Sequence, residues 1–270
     1  MRLALRSSIH NLPWPASPSE AIALQKRLAG ELILQGDLSG VDLVAGVDVS
    51  SVVEAGLMVG AVVIWSLNRG MVTCSTTATA KTTFPYIPGL LAFRELPVLL
   101  EAFKRLPPLS PPLLRRGGSI DAVICDGQGT AHPRGFGIAC HLGLYLGVPS
   151  VGCAKSRLTG WYEEPGLERG AQSPLWDRKL QTERRNSALS PDRVDLQSSI
   201  YNLQSEIGRV VRTRTGVKPV FVSPGHLVGF DEAVQLVLRA CTRYRLPEPV
   251  RAAHRLATET AAGMKLNGGL

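Results

Sequence analysis

Residues 41–49 read VDLVAGVDV, an apolar run that carries the acid Asp48 close to its end. A short, valine-rich run of this kind predicts a buried strand over Leu43–Val49. A carboxylate at the end of a buried strand is costly unless it is paired or bound to a cation, so Asp48 is a candidate functional residue. Aspartates at strand ends also cap turns, and that interpretation stays open for Asp48 taken alone.

The same arrangement occurs a second time at residues 122–126, AVICD, where a short β-branched strand over Asp121–Cys125 stops at Asp126. A third acid, Glu95, lies in FRELP on a predicted helix, where a lone glutamate is most often solvated. Three acids delivered by neighbouring strand and helix ends would form the oxygen-rich site that Mg²⁺ prefers. His226, in VSPGHLV, follows a predicted strand, and its tight Pro-Gly turn favours a role near such an ion over an ordinary polar loop.

Hydrophobic periodicity places the remaining elements around these strands. Helices are predicted over about Glu20–Leu34, Leu90–Leu106, Phe136–Leu146, Asp231–Thr242 and Val250–Met264, and further strands over Leu57–Trp65, Met71–Ala80, Ser150–Ala154 and Lys218–Ser223. Pro97 casts doubt on the continuity of the second helix. The alternation favours an α/β fold, and residues 1–270 are expected to form a single domain with a long loop or insertion at about 163–207.

Composition narrows the class of protein. Of the 270 residues, 44% are hydrophobic and 19% are charged, which is ordinary for a globular protein and excludes a disordered one. Thirty basic against twenty-two acidic residues give a net charge of +8. This balance favours a polyanionic partner, nucleic acid first and an anionic membrane surface second, although surplus lysine and arginine also serve solubility alone.

The five cysteines are scattered and form no CxxC pair, so neither a zinc site nor a disulfide framework is indicated, and a reducing cytoplasm fits best. The most apolar stretches, 56–65 and 136–154, are too short or too interrupted for a membrane span. We therefore expect a cytoplasmic protein without a membrane partner. No organic cofactor is expected.

Five ordered motifs resemble those of the endonuclease V (deoxyinosine 3′ endonuclease) family. They are VAGVDVS at 44–50, PYIPGLLAFRE at 85–95, DGQGTAHPRGFGIACHLG at 126–143, GCAKSRLTG at 152–160 and KPVFVSPGH at 218–226. The resemblance covers about Ala21 to His254 and implies a ribonuclease H-like fold, a mixed sheet flanked by helices. It also implies hydrolysis of the second phosphodiester bond 3′ to a deaminated adenine in DNA, or in inosine-containing RNA.

The resemblance also implies residue roles. Asp48, Glu95 and Asp126 carry over as the catalytic and metal-binding acids, for Mg²⁺ or Mn²⁺ in its place, with His226 near the metal. The substrate-binding positions are Pro85, Tyr86, Ile87 and Pro88 as a wedge, Gly89, Gly127 and Gly129 around an extruded base, and Lys155 at a phosphate with His132 close by. Arg134 and Arg157 extend this phosphate track. Stiff apolar wedges replace the stacking of a displaced base, and glycine lets the backbone approach a base closely, so physics supports both assignments.

Departures from the family pattern leave some points open. Residues 178–205 look longer than the corresponding family segment, Cys140 stands where a serine is expected, and Leu227 where a basic residue is common. Two alternatives remain: another ribonuclease H-like, structure-selective nuclease without a base pocket, and a catalytically silent nucleic-acid-binding protein. The sequence does not decide between DNA and RNA, and it does not give the oligomeric state.

Overall fold

Strand β1 (Leu43–Val52) is the central element of a mixed sheet, in a computed structural model that describes residues 13–107, 120–177 and 206–267. The other strands are β2 (Leu57–Ser66), β3 (Met71–Lys81), β4 (Ala122–Cys125), β5 (Ser150–Ala154), β6 (Gln172–Trp176), β7 (Glu206–Val211) and β8 (Val220–His226). Within the described ranges they form one eight-stranded sheet in the order β3-β2-β1-β4-β5-β8-β7-β6. β1, β4 and β5 run parallel, and β2, β3 and β8 run antiparallel to their neighbours.

The helices cover both faces of this sheet. They are α1 (Pro18–Ala29), α2 (Leu91–Lys104), α3 (Ile138–Leu146), α4 (Phe230–Ala240) and α5 (Glu248–Asn267). Leu43, Ala45 and Val47 lie in one core with α2 and α3, while Val44 lies in a second core with α4 and the first turn of α5. Side chains alternate along a strand, so β1 divides its residues between the two faces. The expected ribonuclease H-like mixed sheet flanked by helices is confirmed.

Helix α2 runs through Pro97 without a break, so the doubt about its continuity was misplaced. A proline within a helix removes the hydrogen bond to the carbonyl four residues earlier. That carbonyl belongs to Phe93, and it accepts a hydrogen bond from the Trp14 indole instead, at 3.2 Å. A side chain from outside the helix thus replaces the missing backbone donor.

The loop or insertion predicted at about 163–207 is wrong in part, because this range contains β6 and the first residues of β7. β6 is five residues long and includes Pro174, which argues against a central strand. Its position at the edge of the sheet explains why the proline is tolerated. Residues 178–205, which look longer than the corresponding family segment, lie outside the described residues.

The cysteines and the helices bear on the expected absence of disulfides and of a membrane span. All five cysteines, which lie within the described ranges, are free thiols. Among the described helices, none combines the length and apolarity that a membrane span requires.

Gly46, in the middle of β1, lets the start of α5 pack directly against the sheet. A Cβ atom at this position would lie 2.1 Å from the backbone carbon of Pro249 and 2.2 Å from its carbonyl oxygen. No side chain fits there unless α5 moves. The close approach matters for function because α5 carries a residue that contacts Asp48.

We predict that Gly46→Ala lowers the free energy of unfolding, since overpacking a core typically costs about 1–3 kcal/mol. Thermal denaturation measures the effect. Gly40→Ala is the matched control, because a Cβ atom at Gly40 meets nothing within 4 Å. Equal melting temperatures for the two variants would contradict the packing argument.

Candidate active site

Asp48 and Asp126 lie side by side because β1 and β4 are parallel and in register. Val47 of β1 pairs with Cys125 of β4. The residue that follows Val47 is Asp48, and the residue that follows Cys125 is Asp126. Asp48 belongs to β1, and Asp126 follows the last residue of β4. The two acids lie side by side as expected, but only Asp126 follows a strand end, because β1 continues beyond Asp48 to Val52.

Glu95 joins the two aspartates from the second turn of α2. Burial, together with the negative charges of Asp48 and Asp126, raises the pKa of Glu95 to about 8. Burial also raises the pKa of Asp48, as does the charge of Asp126, while a hydrogen bond from His254 opposes the shift. Two acids with raised pKa values next to a third carboxylate form a site that a cation would stabilise.

Two basic side chains already lie against this cluster. The Nζ atom of Lys155 is 2.5 Å from Oδ2 of Asp126, and Nδ1 of His254 is 2.7 Å from Oδ2 of Asp48. Among the described residues, no three acidic, histidine or cysteine side chains are arranged to enclose a metal ion by themselves. An ion here would complete its shell with water and phosphate oxygens, as Mg²⁺ commonly does.

His226 does not lie at this edge of the sheet, so its assignment near the metal was wrong. It is the last residue of β8 and pairs with Ser150 at the start of β5, whereas Cys125, beside Asp126, pairs with Gly152. β8 runs antiparallel to β5, and Val222 pairs with Cys153, so His226 is four residues from the catalytic end, or about 13 Å along the strand. Its Nδ1 atom accepts a hydrogen bond from the backbone N–H of Ile33.

His254, on α5, is the histidine that contacts a catalytic acid, and reasoning from the sequence missed it. Nothing in its neighbourhood, PVRAAHRLATE, separates it from a solvated helix position. Only the docking of α5 on β1 brings it to Asp48. The one signal available was that the family resemblance extends as far as this residue.

A cavity of about 340 Å³ opens beside Glu95 and Asp126. This volume falls within the range of small-molecule sites. Its walls come from α1, from the segment before α2, and from the loops after β4 and β5. They include Gln25, Tyr86, Ile87, Pro88, Gly89, Leu91, Gly127, Gln128, His132, Ile138, Lys155 and Leu158.

Of the three glycines predicted around an extruded base, two line the cavity and the third does not. Gly89 and Gly127 line the cavity, and a Cβ atom at Gly127 would lie 2.8 Å from the Ile138 side chain. Gly129 points elsewhere: its N–H donates to Ser223 Oγ at 2.8 Å, and a Cβ there would lie 2.0 Å from the Pro224 carbonyl oxygen. Gly129 therefore serves the packing of this loop on β8.

The carbonyl oxygen of Gly89 is the centre of a hydrogen-bond network at the rim of the cavity. It accepts from Gln25 Nε2 at 3.0 Å, from His132 Nε2 at 2.9 Å and from Arg134 Nη2 at 2.5 Å. Gly89 has a φ of +78°, a left-handed conformation that glycine adopts without strain. These contacts hold the end of the PYIP segment in place.

His132 and Arg134 are used inside the protein rather than at its surface. Since Nε2 of His132 donates to Gly89, its Nδ1 is the acceptor for the Arg134 N–H at 3.2 Å. Burial and the Arg134 charge lower the pKa of His132 to about 4, so the ring is neutral. Arg134 also donates to Gln25 Oε1 at 2.5 Å. Its expected place on a phosphate track is not supported, whereas Arg157 is exposed and lies over the Tyr162 ring.

The wedge segment has one buried anchor and one exposed tip. Phe84 is buried and its carbonyl accepts a hydrogen bond from Arg94. Tyr86, two residues on, is 70% exposed. An exposed aromatic ring held between prolines is costly to leave in water, which suits a residue that inserts into a partner.

An α/β fold with acids from two adjacent parallel strands and a helix, beside an open cavity and a lysine, fits a hydrolase for phosphate esters. The endonuclease V family model matches residues 26–255. The chain belongs to the endonuclease V family, and it is an endonuclease.

Individual endonuclease V proteins are also similar to this chain. Endonuclease V of Dehalococcoides mccartyi is 41% identical over 251 residues, which cover 93% of this chain and 96% of that protein. The crystal structure of endonuclease V from Streptomyces avermitilis has a TM-score of 0.76 and 38% identity, and the match covers 93% and 96% of the two chains. Endonuclease V of Ciona intestinalis, in complex with a 24-mer DNA containing an inosine followed by a ribo-adenosine, has a TM-score of 0.66 and 26% identity, covering 91% and 98%.

We predict that Gln25→Leu loosens the wedge segment. Gln25 is 1% exposed, and besides Gly89 it donates to the Phe136 carbonyl at 3.1 Å. Leaving buried polar groups unsatisfied costs about 1–3 kcal/mol. Hydrogen exchange should accelerate at residues 84–91, while the exposed neighbour Lys26→Leu should leave it unchanged. The same exchange rates in both variants would show that the network does not hold the segment.

Proposed function

We propose that this endonuclease recognises inosine in DNA and hydrolyses the second phosphodiester bond on its 3′ side, leaving a 3′-hydroxyl and a 5′-phosphate. The observation that carries the proposal is a base-sized cavity that opens onto Glu95 and Asp126 and is bordered by the exposed ring of Tyr86. The Ciona intestinalis relative, crystallised with inosine-containing DNA, supports the choice of substrate.

We propose Mg²⁺, or Mn²⁺ in its place, as the cofactor. The donor set fits a hard cation, because Asp48, Asp126 and Glu95 offer oxygen ligands, and burial and the charges of the two aspartates raise the pKa of Glu95. Asp48 and Asp126 would hold the ion, with Glu95 at its side. When bound, such an ion activates water and stabilises charge on phosphate oxygens.

The protein's own groups then have separate tasks. Lys155 would leave Asp126 and contact a phosphate oxygen next to the scissile bond, which suits a compact positive charge. Glu95, between the cavity and the aspartates, would orient the attacking water. His254 would fix the direction of the Asp48 carboxylate through its Nδ1 contact, which places it, and not His226, next to the proposed ion.

Recognition of the base would depend on extrusion from the helix. Tyr86 would enter the gap that the base leaves, while the backbone at Gly89 and Gly127 contacts the extruded base in the cavity. The Gly89 network keeps wedge and pocket at a constant distance from each other. We place the reaction in the cytoplasm, because five free thiols suit a reducing compartment.

We predict that Asp126→Ala abolishes cleavage of deoxyinosine-containing strands while leaving binding largely intact. Mutation of a residue that only holds a metal ligand in place typically lowers activity about 10–100-fold. Loss of a ligand itself should therefore lower the cleavage rate more than about a hundredfold. Magnesium-dependent cleavage of matched deoxyinosine, inosine-RNA and unmodified oligonucleotides, with the cut site mapped, is the measurement.

Glu31→Ala, an exposed acid beyond α1, is the control and should cleave normally. Normal turnover by Asp126→Ala would remove the proposed mechanism. Equal cutting of unmodified and inosine strands would instead favour a structure-selective nuclease, and cutting of inosine-RNA alone would make RNA the substrate.

We predict that Tyr86→Ala impairs cleavage of duplex more than of single-stranded substrate, because only a duplex requires the stacking of a displaced base to be replaced. Base–aromatic stacking is worth about 1–3 kcal/mol, so kcat/KM on duplex should fall roughly fivefold to a hundredfold. Leu167→Ala, whose side chain is 65% exposed, is the control. An equal loss on both substrates would argue against a wedge.

A further inference from the structure

Basic side chains form a continuous surface on the α4–α5 side of the sheet, next to the acids. We call it the basic face, and it consists of Arg214, Lys218, Arg243, Arg245, Arg251 and Arg255. Five of these side chains are exposed and Arg245 is partly buried. None of the roles proposed above uses them.

The basic face is held in place by defined contacts. Arg245 donates to the carbonyl of Lys155 and to that of Pro219, each at 2.8 Å, which ties the α4–α5 loop to the end of β5 that carries the active-site lysine. The Arg251 guanidinium lies 3.4 Å from the centre of the Tyr244 ring, a cation–π contact that orients it. The surface therefore has a fixed position relative to the catalytic centre.

The charges of the basic face are not neutralised by the protein. Among the described residues, no member forms an ion pair with a carboxylate, whereas Arg209 and Arg212 on β7 and just after it pair with Glu206 and Glu164. The nearby Glu248 is turned inward, where it accepts hydrogen bonds from Thr242 Oγ1 and the Arg243 N–H. Exposed cations that lack acidic partners suit the release of counterions by a nucleic-acid backbone.

The basic face continues directly from the catalytic acids. Arg251, His254 and Arg255 are three and four residues apart, so they share one side of α5, and His254 contacts Asp48. The cavity lies on the opposite side of the sheet edge, where α2 and α3 pack. The acids thus stand between the base pocket and the basic face.

This arrangement gives the substrate strand a direction. If the inosine base lies in the cavity and the cut lies on its 3′ side, the strand must pass over the acids and leave across the α4–α5 side. We infer that the basic face binds the phosphate backbone of the cleaved strand on the 3′ side of the cut, an inference that rests on the proposed function.

The test compares substrates with different 3′ arms. Binding is measured for wild-type enzyme and for the variant Arg243→Gln/Arg251→Gln/Arg255→Gln. One pair of inosine duplexes has a 3′ arm that is either long or ends a few nucleotides beyond the cut. A second pair varies the length of the 5′ arm in the same way. The wild type should bind the long 3′ arm more tightly, and the variant should lose that advantage. The slope of log affinity against log salt should fall by about 2 to 3 for three lost contacts.

A matched variant, Arg69→Gln/Lys104→Gln/Arg105→Gln, removes the same charge from the β2–β3 turn and the end of α2. This control variant should still bind the duplex with the long 3′ arm more tightly, by the same factor as the wild type. A 3′ advantage that persists in the basic-face variant, an equal loss in the control, or a loss confined to the 5′ arm would each overturn the inference. If wild-type enzyme does not cut next to inosine even on long arms, the proposed function fails instead.

Discussion

The parallel pairing of β1 and β4 is the constraint on which the rest of the site depends. Parallel strands end at the same edge of a sheet, and the register that puts Val47 opposite Cys125 brings the carboxylates of Asp48 and Asp126 together. Asp121 reinforces this register, since its carboxylate accepts the backbone N–H groups of Asp42 and Leu43 at the start of β1. Two like charges at one edge are unfavourable, and the fold tolerates them because Lys155, His254 and, in our proposal, a divalent cation offset the repulsion.

In our proposal, base recognition and catalysis would be joined through one carbonyl group. Gly89 stands between the wedge and the cavity, and its oxygen is fixed by donors from α1 and from the loop after β4. Glu95 lies on α2, only six residues after Gly89. A shift of the wedge would therefore be transmitted to the pocket and to an acid within the same short segment. Such coupling suits an enzyme that must cut at a fixed distance from the base it recognises.

Many of the strands and all three acids could be predicted from local sequence patterns. Runs of apolar and β-branched residues identified β2, β3 and β5 within one residue and β1 within three, because strands depend largely on their own composition. The three acids stood out because each lies in or next to an apolar element. β6 was missed since its proline and short length resemble a loop, and an edge position, which sequence does not reveal, makes such a strand possible.

The sequence by itself determined the fold class, the family motifs and the acids Asp48, Glu95 and Asp126. Only the tertiary structure decided which histidine contacts them, since the sequence pattern favoured His226 and gave no local sign of His254. The antiparallel course of β8 carries His226 to the far end of the sheet, while the close approach of α5 at Gly46 brings His254 to Asp48. Strand direction and helix docking are set by contacts between residues distant in sequence, and for that reason no local pattern records them.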